Sequence, residues 1–182
     1  MNSSVFVLGD SRTGTTSLHR YFLDCGLQSI HYFVDEVSEI AADRGFDRHS
    51  YTHFRKFIET SGYNAFSDYP TRNYFRELLE DFPDAYYILS VRKDTEAWRG
   101  SMKRFFKDDE AVLKSLPRLT KLHSQINDEI RQTYANARNF TEINIDAGDE
   151  INSARLSDFL KLQTAVPLQR LNATRPKRPD AP

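Results

Sequence analysis

Residues 9–17 read Gly-Asp-Ser-Arg-Thr-Gly-Thr-Thr-Ser, directly after the apolar run Val5–Leu8. Glycine permits positive φ and close backbone approach, and a helix opening here would aim unpaired N–H groups outward. Such a terminus suits a phosphate or a sulfate. Thr15, Thr16 and Ser17 add hydroxyl donors, and Arg12 adds a planar, permanently charged fork. The Gly9-x4-Gly14 spacing is that of a nucleotide-triphosphate P-loop, but Thr15 stands where that loop needs its Lys. The bland alternative is an ordinary strand–helix turn that contains two glycines.

A second group follows the strongest strand signal, Ala85–Val91: Arg92, Lys93, Trp98 and Ser101. As an isolated pattern it reads as a strand ending in a solvated Arg-Lys pair, with Trp98 in the core. A third group is His31-Tyr32-Phe33 at the end of a β-branched and aromatic run, and Asp68 closes a weaker run at 64–67.

Taken in order, these segments resemble the sulfotransferases that use 3′-phosphoadenosine 5′-phosphosulfate (PAPS). Their 5′-phosphosulfate loop, Pro-Lys/Arg-Ser/Thr-Gly-Thr-Thr, stands here as Ser11-Arg12-Thr13-Gly14-Thr15-Thr16. Ser11 replaces the Pro, and Arg12 replaces the commoner Lys, as in tyrosylprotein sulfotransferases. The cation preceding the second glycine accounts for the missing P-loop Lys. The family's second signature, an Arg and a helical Ser on the cofactor's 3′-phosphate, falls on Arg92 and Ser101. Their separation is nine where eight is usual, so either Arg92 or Lys93 takes the Arg role. The resemblance extends over 64–70, 81–85, 140–145 and 156–160, while about 43–62 is unspecific.

The resemblance implies PAPS as co-substrate, adenosine 3′,5′-bisphosphate as product, and no metal. It assigns Ser11, Arg12, Thr13, Gly14, Thr15, Thr16, Ser17, Arg92 and Ser101 to cofactor binding. Arg12 also stabilises charge on the leaving phosphate. In heparan-type members the general base is a Glu two residues before a His-aromatic-Phe triplet. That position is Ser29 here, so the usual base is not reproduced. His31, Asp68, Asp35 and Glu36 are the alternatives, with His31 and Asp68 at strand ends. Each also has a structural reading, His31 as a loop-orienting histidine and Asp68 as a turn cap before Pro70. His19, His49, His53 and His123 read as surface or packing residues. The acceptor is expected to be a small molecule, a glycan or a lipid-linked group. Two other functions compete. One is a small nucleotide or metabolite kinase, with Asp68 as a magnesium partner. The other is an inactive sulfotransferase-like binding protein, to which Ser29 lends some support.

The elements that would carry these residues alternate. Strand-like runs at 5–8, 29–33, 64–67, 85–91 and 141–145 are separated by helical patterns. Those patterns lie at 15–24, 73–81, 95–107, 109–136 (interrupted near Pro117) and 153–162. This order implies an α/β three-layer sandwich with a mainly parallel sheet and a P-loop-like strand–loop–helix. Ligands would then bind beyond the strands' carboxyl ends. Phe33, Tyr51 and Phe54 could line a cleft, although core packing is the commoner use of such residues.

The 182 residues carry 25 Lys+Arg and 26 Asp+Glu, a net charge of −1. That balance speaks against a general nucleic-acid binder but leaves room for one basic pocket. One domain is expected over 1–166, with a Pro- and Arg-containing tail over 167–182 whose end is flexible. A single cysteine, Cys25, excludes an internal disulfide framework and a Cys-rich zinc site. No run reaches the roughly 20 apolar residues of a membrane span, and a cytoplasmic location is the expectation.

Overall fold

Strands β1 (Val5–Val7), β2 (Ser29–His31), β3 (Ala65–Ser67), β4 (Tyr86–Val91) and β5 (Phe140–Asn144) form one sheet in the order β2-β3-β1-β4-β5. Every pairing is parallel, with Val5 opposite both Ala65 and Tyr86. The computed structural model describes residues 3–32, 48–162 and 166–171. Phe33, Asp35, Glu36, the side chain of His49 and the chain beyond 171 lie outside them.

The strands are apolar in succession because both faces are covered. Phe6, Leu8, Phe66, Tyr87 and Leu89 point to one side, where they meet α2 (Arg48–Thr60), α3 (Phe75–Asp81) and α5 (Glu110–Thr133). Val5, Val7, Ala65, Ile88 and Ile143 point to the other, against α1 (Thr15–Asp24) and α6 (Asp149–Phe159). The first layer is aromatic: Phe6 stacks on Phe66 at 5.4 Å and on Tyr87 at 5.6 Å. Tyrosines serve there because their hydroxyls reach backbone carbonyls, Tyr87 to Leu78 and Tyr134 to Phe75, each at 2.6 Å. Tyr51 and Phe54 are buried in this layer, so they line no cleft. A smaller cluster of Trp98, Met102 and Leu116 joins α4 (Thr95–Phe105) to α5.

Element boundaries depart from the sequence reading in physically legible ways. Pro117 does not interrupt α5. It sits on the exposed face, where the Leu113 carbonyl it leaves unbonded can turn to water. Helix α6 starts at Asp149 rather than 153, opened by Gly148 at φ 117° and two acidic residues in the first turn. Those residues carry no apolar periodicity, so the pattern shows only the helix's later part. A 3-10 turn at Thr71–Tyr74 leads into α3.

The sheet's topology sets the site. From β1 the chain moves toward β2 on one side, whereas β4 and β5 lie on the other. The loop after β1 therefore emerges where the strand order reverses, beside the end of β4.

Candidate active site

Gly9 leaves β1 beneath the end of β4, where a Cβ would lie 1.9 Å from Ser90 Oγ and 2.6 Å from Thr13 Oγ1. Only a residue without a side chain fits. The Thr13 hydroxyl donates to the Asp10 carbonyl at 2.6 Å and meets Ser90 Oγ at 3.0 Å. Gly14 then turns at φ 86°, with Ile145 where a side chain would be, and opens α1. Arg12 also adopts positive φ, 67°, a conformation that needs support from its surroundings.

A cavity of about 350 Å³ opens at the N-terminus of α1. Arg12, Arg92 and Arg104 converge on it, from the loop, the end of β4 and α4. Burial, then repulsion from Arg92 and Arg104, pulls the Arg12 guanidinium's pKa below its ordinary value. Arg12 Nε–H points to Ser101 Oγ at 3.4 Å, and its guanidinium lies 4.3 Å over the Phe105 ring. Phe105 is 54% exposed in this role. Arg92 pairs with Asp146 at 2.9 Å, while its buried Nε has no hydrogen-bond partner among the described residues. Lys93 is exposed and does not line the cavity; its backbone N–H bonds Asp146.

The outer wall comes from residues 168–171. Arg170 is bonded to Asp149 at 2.9 Å, and the Leu171 N–H donates to Ser17 Oγ at 2.9 Å. Leu168 is buried against the α1 side of the sheet. Of the residues expected at the cofactor, Arg12, Gly14, Thr15, Thr16, Ser17, Arg92 and Ser101 border this cavity. Ser11 and Thr13 do not. Thr13 is fully buried, and Ser11 offers its carbonyl to Trp98 Nε1–H at 2.9 Å. Both shape the loop from behind.

On the other side of the loop lies a second cavity, about 310 Å³, bordered by the loop residues Gly9–Ser11 and by Tyr32, Asp68, Tyr69, Arg72 and Asn73. His31 Nε2 is 3.1 Å from Asp68 Oδ2, to which the Thr15 hydroxyl also donates at 3.0 Å. Burial pushes the Asp68 carboxyl up. The His31 hydrogen bond, the Tyr69 N–H, the His31 charge and Thr15 outweigh it, so its pKa lies below the usual carboxylate range. His31 and Asp68, expected at the ends of two strands, are thus one hydrogen-bonded pair touching the α1 N-terminus.

Sequence reasoning missed Arg104, Asp146 and the 168–171 wall. Arg104 lies three residues after Ser101 on one helix face, so helical spacing could have found it. Asp146 directly follows the fifth strand-like run, so the rule that ligands bind beyond strand ends could have found it. Nothing in the sequence marks 168–171. His123 is neither a surface residue nor simple packing: it is buried and bonded to Asp10 at 2.7 Å. His19 bonds Ser29 at 2.9 Å. No group of three or more His, Cys, Asp or Glu suited to a metal exists among the described residues.

An all-parallel α/β sheet, a glycine-bounded turn without the P-loop Lys, and an arginine-lined cavity at the following helix make a P-loop-like α/β fold. The sulfotransferase domain family matches residues 4–175, and the chain belongs to it. No curated protein sequence matches the chain significantly.

Proposed function

We propose that this protein transfers a sulfuryl group from PAPS to a hydroxyl or amine of a small-molecule, glycan or lipid-linked acceptor. The observation that carries this is the convergence of Arg12, Arg92 and Arg104 on one cavity at the α1 N-terminus, with Asp146 paired to Arg92. PAPS supplies a sulfuryl group on a phosphate leaving group, and the cavity has the charge and donors for both of its anionic ends. The unpaired Nε of Arg92 is a buried donor suited to an anion's oxygen.

In this reading the Gly14–Ser17 N–H groups and the hydroxyls of Thr15 and Thr16 hold the 5′-phosphosulfate. Arg12 neutralises charge growing on the phosphate oxygen as the S–O bond breaks. Arg92 and Ser101 hold the 3′-phosphate. Arg92, rather than Lys93, takes that role because it is the one that borders the cavity.

The second cavity receives the acceptor, and Asp68 on its wall takes the acceptor's proton. A carboxylate of lowered pKa is a weak base, so it accepts a hydrogen bond first and the proton only as the acceptor's acidity rises. His31 keeps Asp68 oriented.

A PAPS-dependent assay over hydroxyl and amine acceptors, with Arg12→Ala as control, tests this reading. Transfer by the wild type and a drop of about 100-fold or more in the variant are expected. Adenosine 3′,5′-bisphosphate binding without turnover across the panel would support the inactive binding protein instead.

A further inference from the structure

The His123 ring, 4% exposed on α5, takes no part in the chemistry above. Its Nδ1 lies 2.7 Å from Asp10 Oδ2, and its Nε2 lies 3.1 Å from Asn127 Nδ2. The orientation of the Asn127 amide is set by Arg72, whose Nη2–H donates to Asn127 Oδ1 at 2.9 Å. Asn127 Nδ2 can then only donate, so His123 Nε2 accepts. The ring proton therefore sits on Nδ1 and goes to Asp10. Arg72, anchored by its Nη1–H on the Leu8 carbonyl at 2.7 Å, starts a line of donors that all point toward the loop.

What that line ends on is the turn carrying Arg12. Asp10 Oδ1 accepts the Ser11 N–H at 2.7 Å, and the Asp10 carbonyl accepts the Thr13 N–H at 3.1 Å. Trp98 stacks on the His123 ring at 4.1 Å with 8° between planes, and its Nε1–H holds the Ser11 carbonyl. The residues on both sides of Arg12 are thus fixed, which sustains its positive φ.

We propose that His123 is a positioning residue: locked as the Nδ1–H tautomer by Arg72 and Asn127, it clamps Asp10 and, with Trp98, aims Arg12 into the anion cavity. The kinetic part rests on the function proposed above; the tautomer and the clamp do not.

Nitrogen–proton correlation spectra of the full chain read the tautomer directly. Protonated Nδ1 and bare Nε2 are expected at His123, and the opposite tautomer overturns the proposal. His123→Phe keeps the stack on Trp98 without the donor, while His123→Asn restores an amide donor near the position of Nδ1. In PAPS-dependent transfer, His123→Phe should lower kcat by about tenfold with a smaller change in acceptor KM, and His123→Asn should recover most of it. Equal rates for all three proteins, or no recovery in the Asn variant, overturn it. The Ser11, Arg12 and Thr13 amide resonances should move in the Phe variant and return in the Asn variant; unmoved resonances overturn the clamp. If the wild type transfers nothing, the reading of function fails, while the tautomer and these resonances still decide the clamp. A Phe variant that does not fold leaves the decision to the wild-type tautomer and the Asn variant.

Discussion

Arg12 and Arg92 approach the same cavity by different supports, and their variants should differ accordingly. Arg12 stands on a strained loop and leans on Ser101 and Phe105. Arg92 leaves a sheet strand and is braced by Asp146. Arg92→Ala should weaken adenosine 3′,5′-bisphosphate binding by about tenfold or more, read by calorimetry, with much less effect on adenosine 5′-monophosphate. Lys93→Ala should change neither by more than about twofold. A larger effect from Lys93 would restore the shorter-spacing alignment of the second signature. Asp10 and Asp68 carry a pH signature. In both, burial opposes ionisation but is outweighed, at Asp10 chiefly by His123 and Arg72 and at Asp68 chiefly by His31. A lowered folded pKa stabilises the fold above the unfolded value, and the contribution disappears as pH falls through the folded one. Stability should therefore decline progressively below about pH 4, and Asp68→Asn should flatten that decline in acid denaturation curves.

At the scale of elements, the loop works because strand and helix ends converge on it. Gly9 is the tightest point: Gly9→Ala must displace Ser90 and Thr13, and should cost about 1–3 kcal/mol in chemical denaturation. Helix α4 carries both Ser101 and Arg104, and its start is fixed by Asp94, whose side chain accepts the Ala97 N–H at 2.7 Å. Asp94→Ala should cost about 1 kcal/mol and loosen anion binding modestly. Much of this was legible in the sequence, because glycine spacing, β-branched runs and hydroxyl clusters are local signals. The Gly9–Ser17 turn, the strand ending at Arg92 and the buried Trp98 all follow from residues within a few positions of one another. The His31–Asp68 contact spans 37 positions, and the His123–Asp10 contact 113. No local pattern encodes either. His123 read as a surface or packing residue because Asp10, in the loop after β1, and Trp98, on α4, are both distant from it in sequence. Arg104 could have been reached by counting one turn along α4.

Seen whole, a chain of net charge −1 brings Arg12, Arg92, Arg104 and Arg170 to one cavity at the carboxyl ends of β1 and β4. The two cavities flank the loop after β1, the first lined by Arg12 and Gly14 and the second by Gly9, Asp10 and Ser11. Anion affinity at the first cavity should fall as salt rises, since part of it is Coulombic and Arg104 is exposed. Among the described residues no helix is long and apolar enough to cross a membrane. The basic cavity lies within the stretch matched by the sulfotransferase domain family, and residues 168–171 form its outer wall. The most direct test of the central reading is calorimetric titration of the protein with adenosine 3′,5′-bisphosphate and, separately, with ATP and magnesium. Saturable binding of the bisphosphate, lost in Arg92→Ala, with much weaker binding of ATP, is the expected result. Tight magnesium-dependent ATP binding with no binding of the bisphosphate would contradict the account and point to a kinase.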